Sequence, residues 1–346
     1  MPSKGALVVC QSGYEGFLAR EIAGLGLSAG ESGPGWALAR WDAAEGEADP
    51  GLRLRDAAFP HAILDAPAPV SGSGVNEIAQ RIMEQFAEAV RGERIEERWP
   101  CVFAGSQDMT GLGRRVSSVE AAFHQLLKKR LGRVARLATG DRPRLGPARG
   151  LFVWFTDFGT AQVARSAHMN GQCRMADDDS APSRSYLKIE ESYAIAGAEP
   201  APGESVCDLG AAPGGWSYSA AKRGARVVAV DNGPLKGGAL GNPLVDHRHD
   251  DAFGFSPGRE AVFDWLFSDM LEDPHKVVQS IVRPWLEGGW CRRFVVNLKF
   301  GRVDPIALLA DLRSATSPFS VHGAGVRIVH LYHDREELTV TGSVKR

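Results

Sequence analysis

Asp208-Leu209-Gly210-Ala211-Ala212-Pro213-Gly214-Gly215-Trp216 is a glycine-rich stretch that directly follows a strand-like run, Ser205–Leu209. Glycine permits a tight turn and a close approach of the backbone to a ligand, so the stretch predicts a turn between a strand and a helix. Further strand-like runs follow at intervals that leave room for helices: Arg226–Asp231, Phe263–Asp269 and Arg293–Lys299. This alternation predicts an α/β fold with a Rossmann-like, doubly wound parallel sheet, whose ligands bind at the carboxyl ends of the strands.

The chain closes with two more strand-like runs, Val326–Tyr332 and Leu338–Val344, separated by His333–Glu337. So short a separation favours a hairpin over a parallel crossover. We therefore expect an antiparallel strand pair at one edge of the sheet.

The glycine-rich turn differs from the dinucleotide fingerprint G-x-G-x-x-G, because it has the pattern D-x-G-x-x-P-G-G. A proline inside the turn suits a ligand without pyrophosphate. Asp231 ends the next strand, 21 residues beyond Gly210, which is the spacing of a carboxylate that binds ribose hydroxyls. Asp251 follows the strand after that, where it could accept a hydrogen bond from adenine. We interpret the site as one for S-adenosylmethionine, although both aspartates could also be turn residues.

Two lysines and two acids occupy chemically useful places. Lys188 begins the helix before the first strand, Asp269 and Lys299 end the fourth and fifth strands, and Glu337 opens the last. Each lysine alone would ordinarily be a surface charge. In a doubly wound sheet, however, these positions converge over the cofactor. A second ammonium and partial burial would lower the pKa of a lysine, as a lysine base requires.

The composition is that of a globular protein, with 346 residues, 44% hydrophobic residues and a net charge of −2. No apolar run has the length of a transmembrane helix, so we expect a cytoplasmic protein. The five cysteines are scattered and form no C-x-x-C pair, which indicates neither disulfides nor a cysteine zinc site. Residues 101–150, by contrast, hold ten basic and three acidic side chains. Such a cluster either binds nucleic-acid phosphates or is a solvated helix face.

The front half divides at Ala66–Gly74, which is rich in proline and glycine and indicates a linker or long turn. Residues 1–66 begin with a strand and a helix. In residues 67–172, Ile78, Ile82, Phe86 and Val90 predict one helix, and Ser117–Glu120 has capping-box spacing for the start of another. A second break lies near Asp177–Ser183, and we assign residues 173–346 to the domain that contains the glycine-rich turn.

Several motifs together resemble the ribosomal RNA large subunit methyltransferase M family, within the RrmJ/fibrillarin-like RNA 2'-O-methyltransferases. They are Ser183–Lys188, Asp208–Trp216, Val230–Pro234, Asn297–Lys299 and Leu331–Glu337. More loosely, residues 1–66 resemble the family's ferredoxin-like domain and residues 67–172 its THUMP RNA-binding domain. The chain lacks the family's longer insertion between Lys188 and the Asp208 strand and most of the tail after the last strand. Its front domains are also divergent, which affects the target nucleotide more than the reaction.

The resemblance implies a K-D-K-E set formed by Lys188, Asp269, Lys299 and Glu337, with Lys299 as proton acceptor. Glu336 is the alternative to Glu337. It implies S-adenosylmethionine as the cofactor, with no metal, and a set of binding residues: Ser185, Gly210, Ala212, Pro213, Gly214, Gly215, Asp231, Asp251 and Asp269. The implied substrate is a cytidine 2'-hydroxyl of 23S ribosomal RNA, as naked RNA or in an early assembly intermediate. The oligomeric state is left open.

Other functions compete with this interpretation. His247, His249 and Asp251 form an H-x-H-x-D motif used by dinuclear zinc hydrolases, but Ala252 stands where such enzymes place a further histidine. An NAD-dependent oxidoreductase would share the role of Asp231 but not the loop. The remaining alternatives are a 2'-O-methyltransferase of another structured RNA and a non-catalytic RNA-binding protein with a vestigial methyltransferase domain.

Overall fold

The computed structural model describes residues 3–42, 49–258 and 262–345. The chain divides into two compact units, one that ends at Gly171 and one that begins at Gln172. Among the described residues, every helix is too short or too polar to cross a lipid bilayer.

The first unit combines a sheet with helices. Its elements are β1 Ser3–Val9, α1 Glu15–Gly24, β2 Ser28–Gly33, β3 Trp36–Asp42, β4 Ala62–Asp65, β5 Ala68–Ser71, α2 Val75–Ala89, β6 Trp99–Gly105, α3 Leu112–Arg130, α4 Gly132–Ala135, β7 Ala138–Thr139, β8 Leu145–Phe155 and β9 Thr160–Asn170. The described strands pair in the order β2-β3-β1-β4-β9-β8-β6-β7, and β5 also pairs with β9.

The two front segments, residues 1–66 and 67–172, share this sheet, because β4 of the first pairs with β9 of the second. The expectation of a linker at Ala66–Gly74 is wrong in part. Ala68–Ser71 forms β5, which pairs antiparallel with β9. A four-residue strand that contains proline is hard to distinguish from a turn in the sequence. The ferredoxin-like and THUMP assignments remain predictions.

Helix α2 confirms the predicted apolar face, since Ile78, Ile82 and Phe86 are buried. The predicted start of α3 at Ser117–Glu120 is wrong, because the helix begins at Leu112. The hydroxyls of Ser117 and Ser118 donate to the carbonyls of Gly113 and Arg114, one turn earlier. Serines inside a helix satisfy their hydroxyls in this way, and their spacing then imitates a cap.

The second unit contains the doubly wound sheet. Its elements are α5 Tyr186–Ala196, β10 Ser205–Leu209, α6 Gly215–Lys222, β11 Arg226–Val230, β12 Val245–Arg248, β13 Phe263–Asp269, α7 Pro274–Val277, α8 Arg283–Glu287, β14 Cys291–Lys299, α9 Pro305–Arg313, α10 Pro318–His322, β15 Gly323–Val329 and β16 Glu337–Val344. A π-helical turn, Val278–Val282, joins α7 to α8.

The described strands of this sheet have the order β12-β11-β10-β13-β14-β16-β15. The first five are parallel, and β16 is antiparallel to both β14 and β15. The Rossmann-like fold and its antiparallel strand pair are thereby confirmed. Central positions such as Val206, Leu266 and Val295 are fully buried, as expected of strands covered on both faces.

The sequence pattern placed strand β15 three residues too far toward the C-terminus. The strand ends at Val329, three residues before the expected Tyr332. Leu331 instead enters a turn in which its backbone N–H donates to the carboxylate of Asp334, over 2.9 Å. This turn leads into β16 and places Glu337 at the first position of that strand.

Candidate active site

The glycine-rich turn joins β10 to α6 at the carboxyl edge of the sheet. Gly210 has a φ of +78° and Gly214 a φ of +104°, a conformation that favours glycine. A Cβ atom on Gly214 would also lie 2.6 Å from the Cβ of Ala239. Because Gly214 carries no side chain, the turn packs closely against Ala239.

Asp231 holds this turn in place from the end of β11. Its Oδ2 accepts a hydrogen bond from the backbone N–H of Ala212, over 3.0 Å, and its Oδ1 accepts one from Gly233, over 2.6 Å. Each carboxylate oxygen has capacity for a further donor. Asp231 therefore acts as a turn residue, and it retains acceptor sites for ribose hydroxyls.

The start of α5 packs against the start of α6. The carbonyl of Ser185 accepts a hydrogen bond from Trp216 Nε1 over 3.0 Å, and the Ser185 hydroxyl lies 2.7 Å from that of Ser183. A Cβ on Gly215 would approach both serine hydroxyls to 3.0 Å. Ser185 and Gly215 thus lie in contact where the two helices begin.

Asp251 lies in an exposed turn after β12. Its Oδ1 accepts a hydrogen bond from the backbone N–H of Phe253 over 3.0 Å. In this contact Asp251 acts as a turn residue, which is the alternative that the sequence left open. His247 Nε2 lies 3.0 Å from the carbonyl oxygen of Asp231. The described ranges contain no group of three or more His, Cys, Asp or Glu side chains placed to hold a metal ion. The H-x-H-x-D motif therefore has no metal-site geometry there.

Carboxylates accumulate at the carboxyl edge of the sheet. Asp208 is buried, and burial raises its pKa to about 7, although a hydrogen bond from Ser217 opposes the rise. The nearby carboxylates of Asp269 and Asp231 raise the pKa of Asp208 further. Negative charge gathered beside a glycine-rich turn suits a cationic ligand with ribose hydroxyls, which is the chemistry of S-adenosylmethionine.

The four residues of the predicted K-D-K-E set lie together. Lys188 Nζ is 2.5 Å from Glu337 Oε1 and 3.7 Å from Asp269 Oδ2. Lys299 Nζ donates to Asp269 Oδ1 and Glu337 Oε2. All four side chains are at least four-fifths buried, with Glu337 the least exposed at 7%. Each carboxylate therefore faces both ammonium groups.

Strand register produces this arrangement. Lys299 of β14 stands opposite Glu337 of β16, and Asp269 of β13 stands opposite Asn297 of β14. Lys188 reaches the same place from the first turn of α5. Glu337 faces the cluster, whereas the neighbouring Glu336 is exposed and uses its carbonyl to accept a hydrogen bond from the backbone of Phe300. The structure therefore places Glu337, and not Glu336, among these residues.

The expected lowering of the lysine pKa is wrong for Lys299. Burial lowers its pKa, but the carboxylates of Asp269 and Glu337 more than offset that effect, so the pKa lies above its ordinary value. The pKa of Glu337 is lowered for the reciprocal reason: burial raises it, and the two lysines outweigh burial. The sequence argument brought two acids and two lysines together, but it considered only burial and the second ammonium for the lysine pKa and not the carboxylates.

Sequence reasoning did not single out Asn297, although Asn297-Leu298-Lys299 was one of the quoted motifs. Its Oδ1 accepts a hydrogen bond from Lys299 Nζ over 2.7 Å. The available signal was the spacing, because residues two apart in a strand point to the same face.

Comparisons with known proteins found a family model, full-length relatives and solved structures similar to this chain. The FtsJ-like methyltransferase family matches residues 181–282. The ribosomal RNA large subunit methyltransferase M of Marinomonas sp. (strain MWYL1) is 31% identical over 99% of this chain and 100% of its own. The protein of the same name from Stenotrophomonas maltophilia (strain R551-3) is 32% identical over 99% of this chain and 98% of its own. Among solved structures, TrmN from Thermus thermophilus aligns over 99% of this chain and 100% of its own, at 16% identity and a TM-score of 0.37.

Proposed function

The chain belongs to the ribosomal RNA large subunit methyltransferase M family, and we propose that it methylates the ribose 2'-hydroxyl of a cytidine in 23S ribosomal RNA, with Lys299 as the proton acceptor. It is an RNA methyltransferase, and S-adenosylmethionine is its methyl donor. The finer proposal rests on one observation, the convergence of Lys188, Asp269, Lys299 and Glu337 beside the glycine-rich turn.

The cofactor supplies a methyl group bonded to a positively charged sulfur, which leaves as a neutral thioether. Ser185, the turn residues Gly210 and Ala212–Gly215, and the acids Asp231, Asp251 and Asp269 would hold it. Asp231 would offer acceptors to the ribose hydroxyls, and Asp251 would offer one to adenine. The negative charge of Asp269 stabilises a cation at the end of β13.

The ribose hydroxyl must lose its proton as its oxygen forms the new bond to carbon. Lys299 Nζ accepts this proton, and the resulting ammonium is stabilised by Asp269 and Glu337. Only the neutral fraction of Lys299 can act as base. A cation bound beside Asp269 opposes the charge of the Lys299 ammonium and increases that fraction. Lys188 keeps Glu337 ionised, and so fixes the carboxylate that orients Lys299.

The first unit would bind the RNA through its basic segment. Lys128, Lys129 and Arg130 end α3, are exposed, and form no ion pair within the described ranges. A cavity of about 650 Å³ lies beside them, lined by His124, Lys128, Gly132, Arg133, Ala135 and Arg136. Lys128 and Arg136 line this groove without an ion pair among the described residues, and such cations suit phosphate groups. This supports RNA binding by residues 67–172, the segment that we assign to a THUMP domain.

The proposal is tested by mapping ribose methylations of ribosomal RNA in a strain that lacks the gene. We expect one 2'-O-methylcytidine of 23S RNA to disappear and to return with the wild-type gene but not with Lys299→Ala. Loss of a ribose methylation in another RNA would show that this other RNA is the substrate. An unchanged methylation pattern would favour the non-catalytic RNA-binding protein.

A further inference from the structure

Lys299 Nζ has a third acceptor besides its two carboxylates. An ammonium group has three N–H bonds, and here they meet Asp269 Oδ1, Glu337 Oε2 and Asn297 Oδ1. The Asn297 side chain is fully buried, so water does not compete for its oxygen. The neutral amine that accepts a proton has two N–H bonds and a lone pair, so one of these three contacts gives way to the ribose hydroxyl.

Asn297 can serve as an acceptor only if its amide is turned the right way. Its Nδ2 lies 3.1 Å from Asp334 Oδ1 and 3.0 Å from Thr339 Oγ1. A flipped amide would point its NH₂ group at the Lys299 ammonium, and that contact would be repulsive. Asp334 Oδ1 and Thr339 Oγ1, which accept from Nδ2, support the orientation in which Oδ1 faces Lys299.

Asp334 is itself held by two donors. Its Oδ2 accepts a hydrogen bond from the backbone N–H of Leu331 over 2.9 Å and one from the Thr339 hydroxyl over 3.0 Å. Asp334 is buried. Since the single hydroxyl proton of Thr339 goes to Asp334, the Thr339 oxygen is left to accept from Asn297. The donors and acceptors of this network are therefore mutually consistent.

Strand register places the network next to the cluster. Asn297 stands opposite Thr339, just as Lys299 stands opposite Glu337, two residues along the same pair of strands. The two pairs thus share one face of the sheet.

We propose that Asn297, oriented by Asp334 and Thr339, is a positioning residue that fixes the Nζ atom of Lys299 for proton transfer. The inference rests on the proposed role of Lys299. The charged groups around Lys299 are Asp269 of β13 and Glu337 of β16, with Lys188 of α5 behind both carboxylates and Asp334 beyond Asn297. Asn297 is the neutral member of this set, so it directs the ammonium without adding charge.

The chain offers a matched pair of substitutions. Thr339 and Thr341 are both buried in β16 and point to the same face. Thr339 links Asp334 to Asn297, whereas the Thr341 hydroxyl has no hydrogen-bond partner within the described residues. Thr339→Val removes a hydroxyl that belongs to the network. Thr341→Val removes a hydroxyl from the same strand and leaves the network intact.

The first measurement is the NMR signal of the Lys299 ammonium in ¹⁵N-lysine-labelled, full-length protein, assigned by its loss in Lys299→Ala. We expect Asn297→Ala to accelerate exchange of the ammonium protons with water by roughly tenfold or more, because one N–H loses its acceptor. Thr339→Val should accelerate it less, and Thr341→Val should leave it unchanged. Equal exchange in the two threonine variants, or wild-type exchange in Asn297→Ala, would overturn the proposal.

The second measurement is turnover on ribosomal RNA at saturating cofactor. Asn297→Ala should reduce kcat by roughly 10- to 100-fold with little change in KM, as expected for a displaced catalytic group. Thr339→Val should reduce kcat more than Thr341→Val at similar melting temperatures. A kcat in Asn297→Ala equal to that of the wild type would contradict the proposal.

The two proposals can fail separately. If Lys299→Ala retained turnover, the proposed base would be wrong, while the ammonium signal would still report whether Asn297 positions Lys299. If Lys299→Ala were inactive and Asn297→Ala fully active, only the positioning role would be wrong.

Discussion

Lys299 and Glu337 stand directly opposite each other in the antiparallel pair of β14 and β16. They are 38 residues apart in the chain, yet their side chains form an ion pair that is largely buried. A pair in register between two strands has little freedom to separate. The position of the proposed base is thus determined by the strand pairing itself.

Removal of the Lys299 amine should abolish methyl transfer. We expect Lys299→Ala to lower kcat by roughly 100-fold or more, because no other described group replaces the proton acceptor. Cofactor binding should persist, since Lys299 is not among the proposed cofactor ligands. Calorimetric titration with S-adenosylmethionine, together with a methyl-transfer assay, checks both expectations. Near-normal turnover of Lys299→Ala would show that Lys299 is not the proton acceptor.

The rate should rise with pH. Burial lowers the pKa of Lys299, but Asp269 and Glu337 raise it above the ordinary value, so the neutral base is a minor species near neutral pH. Each pH unit should increase the neutral fraction, and hence kcat, by about tenfold while the ammonium predominates. Glu337→Gln should shift this rise to lower pH, because it removes one negative charge. A kcat that stays flat between about pH 6 and pH 9 would be inconsistent with a lysine base of raised pKa.

Asp231 should contribute to cofactor affinity. Asp231→Ala leaves the N–H groups of Ala212 and Gly233 without their acceptor and removes the proposed contact to ribose hydroxyls. We expect binding of S-adenosylmethionine to weaken by about 1 to 3 kcal/mol. Asp246→Ala is the control, since Asp246 is an exposed acid on the neighbouring strand β12. Equal affinities of the two variants would argue against the assignment of Asp231.

Gly214 should tolerate no side chain. Gly214→Ala places a residue at a φ of +104° with its Cβ 2.6 Å from that of Ala239, so the turn must shift. We expect the free energy of unfolding to fall by at least about 1 kcal/mol and cofactor affinity to fall with it. Gly113→Ala, in α3 with open space around its Cβ, should leave stability equal or higher. Thermal melting with and without cofactor tests the pair, and equal melting temperatures would contradict the expectation.

Reversal of charge in the basic segment should weaken RNA binding. Lys128→Glu, Lys129→Glu and Arg130→Glu together should reduce affinity for ribosomal RNA and lower the slope of log K against log salt by roughly 2 to 3. Arg40, Arg81 and Arg91 are exposed arginines of the same unit and give a control with the same change of charge. Filter binding at several salt concentrations compares the RNA affinities of the two triple variants. Similar losses in both triple variants would indicate a general charge effect.

The sheet could be predicted because its strands are buried on both faces. Ser205–Leu209 and Phe263–Asp269 have in the structure the bounds expected from their apolar runs. The positions of Asp269, Lys299 and Glu337 followed, because strand ends fix where side chains meet. Strand alternation sends Glu336 and Glu337 to opposite faces, so the sequence left the choice between them open. The burial of Glu337 shows that this residue faces the cluster.

Other features depend on contacts that a linear pattern does not contain. The direction of the Lys299 pKa shift depends on two carboxylates that touch its Nζ atom, which no spacing along the chain specifies. The start of α3 was misplaced because serine hydroxyls that bond to the preceding turn have the same spacing as a cap. Asn297 was missed because its amide acquires a role only through Asp334, 37 residues later.

Nucleoside analysis of RNA methylated by the purified protein tests the central claim most directly. Unmodified 23S ribosomal RNA is incubated with the protein and isotope-labelled S-adenosylmethionine, digested to nucleosides, and analysed by mass spectrometry. We predict that the label appears in 2'-O-methylcytidine with the wild-type protein and is absent with Lys299→Ala. Label on a base instead of a ribose, or equal labelling by the two proteins, would contradict the account.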